Sequence, residues 1–206
     1  MSSWIRRDFG GIGVTQHRPG PHLAAVQEPY QGKVILCIDV SGSMAAREGR
    51  HTRLEEAKRG AAQFVEEALG AYYKVGLILW HHGVSGHVTL STDAAKLTRK
   101  LDGARPGGGN DIVPTLKLAT RELAHLTGDR VVAIFGDGDL GPADAAVRAA
   151  KEVSRHGIRI VTRGLGSAAA RELARIDTAP ADAEPIASGQ IASGIAAMVK
   201  AVTARR

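Results

Sequence analysis

Val34-Ile35-Leu36-Cys37-Ile38 is a run of five apolar residues that ends abruptly in Asp39-Val40-Ser41-Gly42-Ser43-Met44. An unbroken apolar run of this length reads as a central strand of a parallel sheet, covered on both faces. The polar turn then falls at the carboxyl end of that strand, where open α/β sheets place their ligand sites. Asp39, Ser41 and Ser43 set one carboxylate and two hydroxyls at alternate positions, and Gly42 lets the backbone curl around a point. Hard oxygen donors converging from one turn suit a hard cation such as Mg2+.

The rest of the chain alternates strands with helices. Leu54, Ala57, Ala61, Phe64, Val65, Ala68 and Leu69 recur at helical spacing and predict a helix over 52–70, with Thr52 and Glu55 spaced as a capping box. Strands are expected at 73–80 and 86–90, joined through His81-His82-Gly83-Val84-Ser85 as an antiparallel hairpin. A helix over 92–101 follows, then the glycine-rich segment Arg105-Pro106-Gly107-Gly108-Gly109-Asn110-Asp111 and a helix over 111–126. The strand 130–135 ends in Gly136-Asp137-Gly138-Asp139, with Pro142 placed for a helix start. Further elements are expected at 142–156 (helix), 158–162 (strand), 168–176 (helix), 183–187 (a weak strand) and 191–204 (helix). This order implies a Rossmann-like three-layer α/β/α sandwich. Residues 1–32 show no sustained period and read as an N-terminal arm ahead of one domain over 33–206. Their Gly10, Gly11 and Gly13 lack the flanking strand and helix of a dinucleotide fingerprint.

D-x-S-x-S after a buried strand resembles the metal-ion-dependent adhesion site of the von Willebrand factor type A domain, and the resemblance runs over about residues 33–204. It implies a mostly parallel sheet with one antiparallel edge strand. It also implies a Mg2+ (or Mn2+) site built from Asp39, Ser41 and Ser43, from Asn110 where the family usually has threonine, and from Asp137 of the third loop. Asn110 offers a carbonyl oxygen, directly or through water, in place of a compact hydroxyl. Asp111 could supply a carboxylate instead, although the family uses that position as a helix cap. Gly136 stands where the family usually has a second threonine.

By the same resemblance the function is metal-dependent protein binding, with a partner aspartate or glutamate completing the ion's coordination. A MoxR-type AAA+ ATPase is one such partner. The alternatives are a scaffold domain without metal and a Mg2+-dependent phosphohydrolase. The second needs a carboxylate where Ser41 stands, so the chain is expected not to be an enzyme.

The net charge of +6 gathers around Arg148, Lys151, Arg155, Arg159, Arg163, Arg171 and Arg175. Aromatic residues are only 4% of the chain and do not interleave with these cations, so a solvated face or an acidic protein partner is expected there rather than nucleic acid. No apolar run is long enough to span a bilayer, and the first residues lack the apolar core of a secretory signal; a cytoplasmic location is the expectation. Cys37 reads as a small core residue, and His81, His82 and His87 carry no assigned role.

Overall fold

In a computed structural model of the 206-residue chain, residues 30–178, 185–187 and 189–204 are described. The arm expected over the first residues lies outside them as far as residue 29.

The apolar run becomes β1 (Gly32–Asp39), buried along its whole length. It is the middle of a five-stranded sheet whose other members are β4 (Tyr73–His81), β5 (Gly83–Ser91), β6 (Arg130–Gly136) and β7 (Arg159–Gly164). The order is β5-β4-β1-β6-β7, parallel throughout except for the β4–β5 hairpin. The hairpin is tighter than its sequence suggests. β4 runs on through His81 and β5 begins at Gly83, whose φ of 105° suits a turn that most residues would strain to make.

Side chains of β1 alternate between two cores. Val34, Leu36 and Ile38 pack with α1 (Arg53–Gly70), α2 (Ala94–Asp102) and α6 (Ile191–Thr203). Ile35 and Cys37 pack with α3 (Val113–Leu123), α4 (Ala143–Arg155) and Leu173 of α5 (Gly166–Ala174). Two cores on one sheet make the expected three-layer sandwich. The capping box at α1 is present, with the Thr52 hydroxyl accepting from the Glu55 amide and the Glu55 carboxylate from the Thr52 amide.

Three local expectations change. The polar loop after β1 contains a short ribbon, β2 (Arg47–Glu48) against β3 (His51–Thr52), turned at Gly49. The helix expected from about 111 begins at Val113, because Asp111 is drawn into a bridge with His82; its carboxylate accepts from the Val113 amide just outside the helix. Of the weak strand over 183–187, Ile186 makes a single parallel bridge to Leu165, while 183 and 184 lie outside the described residues.

The chain leaves β1 through α1 to β4 on one side, and returns from α3 to β6 on the other. The carboxyl ends of β1 and β6 therefore flank the point where the winding reverses, which opens a crevice there.

Candidate metal centre

Asp39 closes β1 with its side chain fully buried, and Ser41 behind it is 1% exposed. The Ser41 amide donates to Asp39 Oδ1 at 2.7 Å. A short 3-10 turn, Gly42–Ala45, then turns the chain so that Ser43 sits at the surface, where its hydroxyl shares a 2.9 Å hydrogen bond with that of Ser41. Met44 inserts into the core beneath and pins the turn.

Asp137 arrives from the end of β6. Its amide donates to Asp39 Oδ2 at 3.3 Å, and its carboxylate accepts a hydrogen bond from the Ser43 hydroxyl. Asp39, Ser41, Ser43 and Asp137 thus form one connected cluster of oxygens from two adjacent strand ends. Burial pushes the Asp39 carboxyl up to about 6, against hydrogen bonds from Ser41 that hold it down; the nearby Asp137 charge adds to the rise. A buried carboxylate beside a second carboxylate is electrostatically uncomfortable without a cation. The donors are all hard oxygens, so the residues fit a small divalent ion of the Mg2+ class. Among the described residues no group of three or more His, Cys, Asp or Glu side chains converges on one point, so a softer nitrogen or sulfur site has no counterpart here.

Asn110 stands apart from this network. Its Nδ2 is buried with no hydrogen-bond partner among the described residues. Its loop is nevertheless held at the same end of the sheet. The Gly107 amide donates to Val40 O at 2.9 Å, the Gly42 amide to Gly108 O at 3.3 Å, and the Asp111 amide to His81 O at 2.8 Å. Asp111 spends its carboxylate on the Val113 amide at 2.9 Å, and so does not replace Asn110 in the cluster. Asp139 is exposed and turns back on its own loop, accepting from the Gly141 amide at 2.9 Å.

Two residues matter that sequence reasoning passed over. Trp80, fully buried at the end of β4, lies beside Gly136: a Cβ added at Gly136 would stand 3.0 Å from Trp80 Cζ2 and 3.3 Å from Asp39 Oδ2. The indole fills the room that a side chain at 136 would need, which explains why glycine stands there. Gly141 has φ 71°, and a Cβ there would meet the Asn110 carbonyl oxygen at 2.3 Å. The loops bearing Asn110 and Asp137 therefore touch through a position that only glycine fits. Both pairings are long-range and have no local sequence signature. The His81-His82 backbone, given no role above, anchors the Asn110 loop through the Asp111 amide and the His82–Asp111 bridge.

A family model described as von Willebrand factor type A domain matches residues 34–139, the segment from β1 through the Asp137 loop. No curated protein matches the sequence. Among solved structures, an aerotolerance-related membrane protein from Bacteroides fragilis NCTC 9343 superposes with a TM-score of 0.71 at 21% identity, covering 84% of this chain and 99% of that one. The vWF domain of the type V pili tip protein Mfa5 from Porphyromonas gingivalis gives 0.75 at 14% identity, over 85% of this chain and 96% of that one. A von Willebrand factor type A structure from Catenulispora acidiphila gives 0.68 at 18%, over 84% of this chain and 43% of that one. At these identities the likeness is one of fold.

Proposed function

The chain belongs to the von Willebrand factor type A domain family, and on that premise we propose that it is a divalent-metal-dependent protein-binding module. The observation that carries this reading is the hydrogen-bonded convergence of Asp39, Ser41, Ser43 and Asp137 around a buried carboxylate at the switch point of the sheet. In this reading Asp39, Ser41, Ser43 and Asp137 hold Mg2+ or Mn2+, and Asn110 contributes an oxygen directly or through water. An ion held there would offer positions to exchangeable waters, so that the site could take up an oxygen of a partner's Asp or Glu. Two carboxylates with neutral hydroxyls and an amide leave the loaded site roughly neutral, so an incoming carboxylate is not repelled. An AAA+ ATPase of the MoxR type, in the cytoplasm, is the partner and setting this proposal favours.

Binding rather than catalysis is supported by Ser41 and Asp39. Ser41 has no carboxylate to act as acid or base, and Asp39 is fully buried, out of reach of an incoming phosphate ester. A metal-free scaffold is the second reading, favoured by one observation: the Ser43–Asp137 hydrogen bond lets the cluster close without a cation.

Thermal unfolding in Mg2+, in Mn2+ and in chelator separates the two. An ion that binds only the folded state raises the midpoint with concentration. That rise, abolished in Asp137→Ala, supports the metal module; identical midpoints in all three conditions support the scaffold.

A further inference from the structure

A pocket of about 330 Å3 opens between the β4–β5 hairpin and the carboxyl end of α2, lined by Leu79, Ser85, Arg99, Lys100, Ala104 and Arg105. Three cations line it, with a fourth, Lys58 of α1, bonded to the Ala104 carbonyl, and among the described residues no acidic side chain lines it. Two of them have local employment. Lys58 Nζ donates to the carbonyls of Asp102 and Ala104, each at 2.9 Å, and Arg105 donates to the Ala104 carbonyl at 3.1 Å. These bonds satisfy the last carbonyl of α2 and that of Ala104 just beyond it, an ordinary use of basic side chains. Burial, and then the Arg105 charge, hold the Lys58 ammonium below its ordinary range, against the Asp102 and Glu55 charges that raise it.

Arg99 and Lys100 are different. Both are exposed, and neither has an acidic partner among the described residues. The Lys100 stem is seated against β5, where a Cβ at Gly86 would stand 2.8 Å from its Cε. By contrast, three of the seven basic residues of the larger cluster seen in the sequence pair with acids of the chain itself. Arg155 pairs with Glu152, Arg159 with Asp129, and Arg175 with Glu172 and Asp144. The unneutralised charge that forms a pocket is thus beside α2.

The place of this pocket matters as much as its charge. Arg105 stands two residues before Gly107, whose amide is bonded to Val40 O beside the Asp39 cluster. Pocket and cluster therefore share the carboxyl end of the sheet, joined by one short loop. We infer that the Arg99–Lys100–Arg105 pocket receives an acidic segment of the protein whose carboxylate engages the Asp39 cluster. The inference rests on the metal-dependent reading above and adds the character of the partner: a chain carrying several acidic residues beside the one that reaches the ion. Charge complementarity of this kind steers encounter and sets specificity. The pocket lining has no aromatic side chain on which a base could stack, so a peptide suits it better than single-stranded nucleic acid.

The test is fluorescence anisotropy at low salt with a labelled peptide of alternating glycine and glutamate bearing about six carboxylates. Wild type is compared with Arg99→Glu/Lys100→Glu, with Arg148→Glu/Lys151→Glu as an equal charge change on α4, and with Asp39→Ala, each in Mg2+ and in chelator. The pocket variant should bind at least about tenfold more weakly in both conditions, and the α4 variant less than about twofold more weakly. Asp39→Ala should lose only the Mg2+-dependent part. The substituted arginines and lysines are exposed, so the fold should be retained, and circular dichroism melting checks it. The inference is overturned if wild type does not bind the peptide, if the pocket variant binds like wild type, if the α4 variant weakens equally, or if a single-stranded oligonucleotide of equal charge binds more tightly through the same residues. Pocket-dependent binding with no Mg2+-dependent part would overturn the metal reading, and with it the link drawn here between the pocket's occupant and the Asp39 cluster, while loss of pocket dependence alone would overturn only this inference.

Discussion

The backbone amide of Asp137 donates to the carboxylate of Asp39 at 3.3 Å, tying the end of β6 to the end of β1 through a buried side chain. The residue that joins the two strands is the same one expected to face the ion. Strand pairing and site geometry are therefore coupled, and changes at one should be read at the other.

The raised Asp39 carboxyl makes the chelator-treated protein pH-sensitive. With a folded pKa of about 6 against an ordinary value of 3.8, the folded state holds more protons than the unfolded one between those limits. Stability from this group is full below about pH 4 and is lost as pH rises through about 6, on the order of 2–3 kcal/mol in all. Asp39→Asn should remove that loss, so in chelator at pH 7 the variant should melt above wild type. With saturating Mg2+ the order should reverse. Chemical denaturation across pH 4.5–7.5 measures both; a variant less stable than wild type in chelator would contradict the electrostatic argument.

Trp80 and Gly136 compete for one space. Gly136→Thr, which restores the residue usual in the family, should cost about 1–3 kcal/mol by overpacking against the indole and the Asp39 carboxylate. In a Trp80→Phe background the same change should cost about 1 kcal/mol less, since the two residues are in contact. Equal costs in both backgrounds, measured by urea titration, would show that the indole is not what excludes the threonine.

Much of this architecture is legible in the sequence because it is local. The apolar run of β1, the D-x-S-x-S turn and the Thr52–Glu55 capping box each state their structure within a few residues. The short helix α2 is equally plain, with Asp93 as its cap on the Lys96 amide at 3.0 Å. What escapes is what depends on distant chain. Trp80 against Gly136, and Gly141 against Asn110, are contacts between segments far apart in sequence, and periodicity carries no trace of them. The expected start of α3 at 111 failed for the same reason, since the His82 bridge claims that residue first. The clustering of basic residues over 147–175 is plain in sequence, whereas the pairing of Arg155, Arg159 and Arg175 with Glu152, Asp129, Asp144 and Glu172 is seen only in the fold.

Gly141 offers a way to ask whether the Asn110 loop belongs to the site. Its φ of 71°, and the 2.3 Å at which an added Cβ would meet the Asn110 backbone carbonyl oxygen, mean that Gly141→Ala strains the backbone and pushes the loop. A loss of roughly 1–3 kcal/mol is expected, with a metal affinity reduced about tenfold, as in Asn110→Ala. Manganese titration followed by electron paramagnetic resonance would read the affinity. Affinities unchanged in both variants would remove Asn110 from the site and leave Asp39, Ser41, Ser43 and Asp137 to hold the ion.

The most direct test of the central claim is calorimetric titration of Mg2+ and Mn2+ into chelator-treated protein, wild type beside Asp39→Ala. The account predicts saturable binding of one ion per chain in wild type and none in the variant. Equal heats in the two proteins, or no binding by wild type even with acetate present to supply the missing carboxylate, would contradict it.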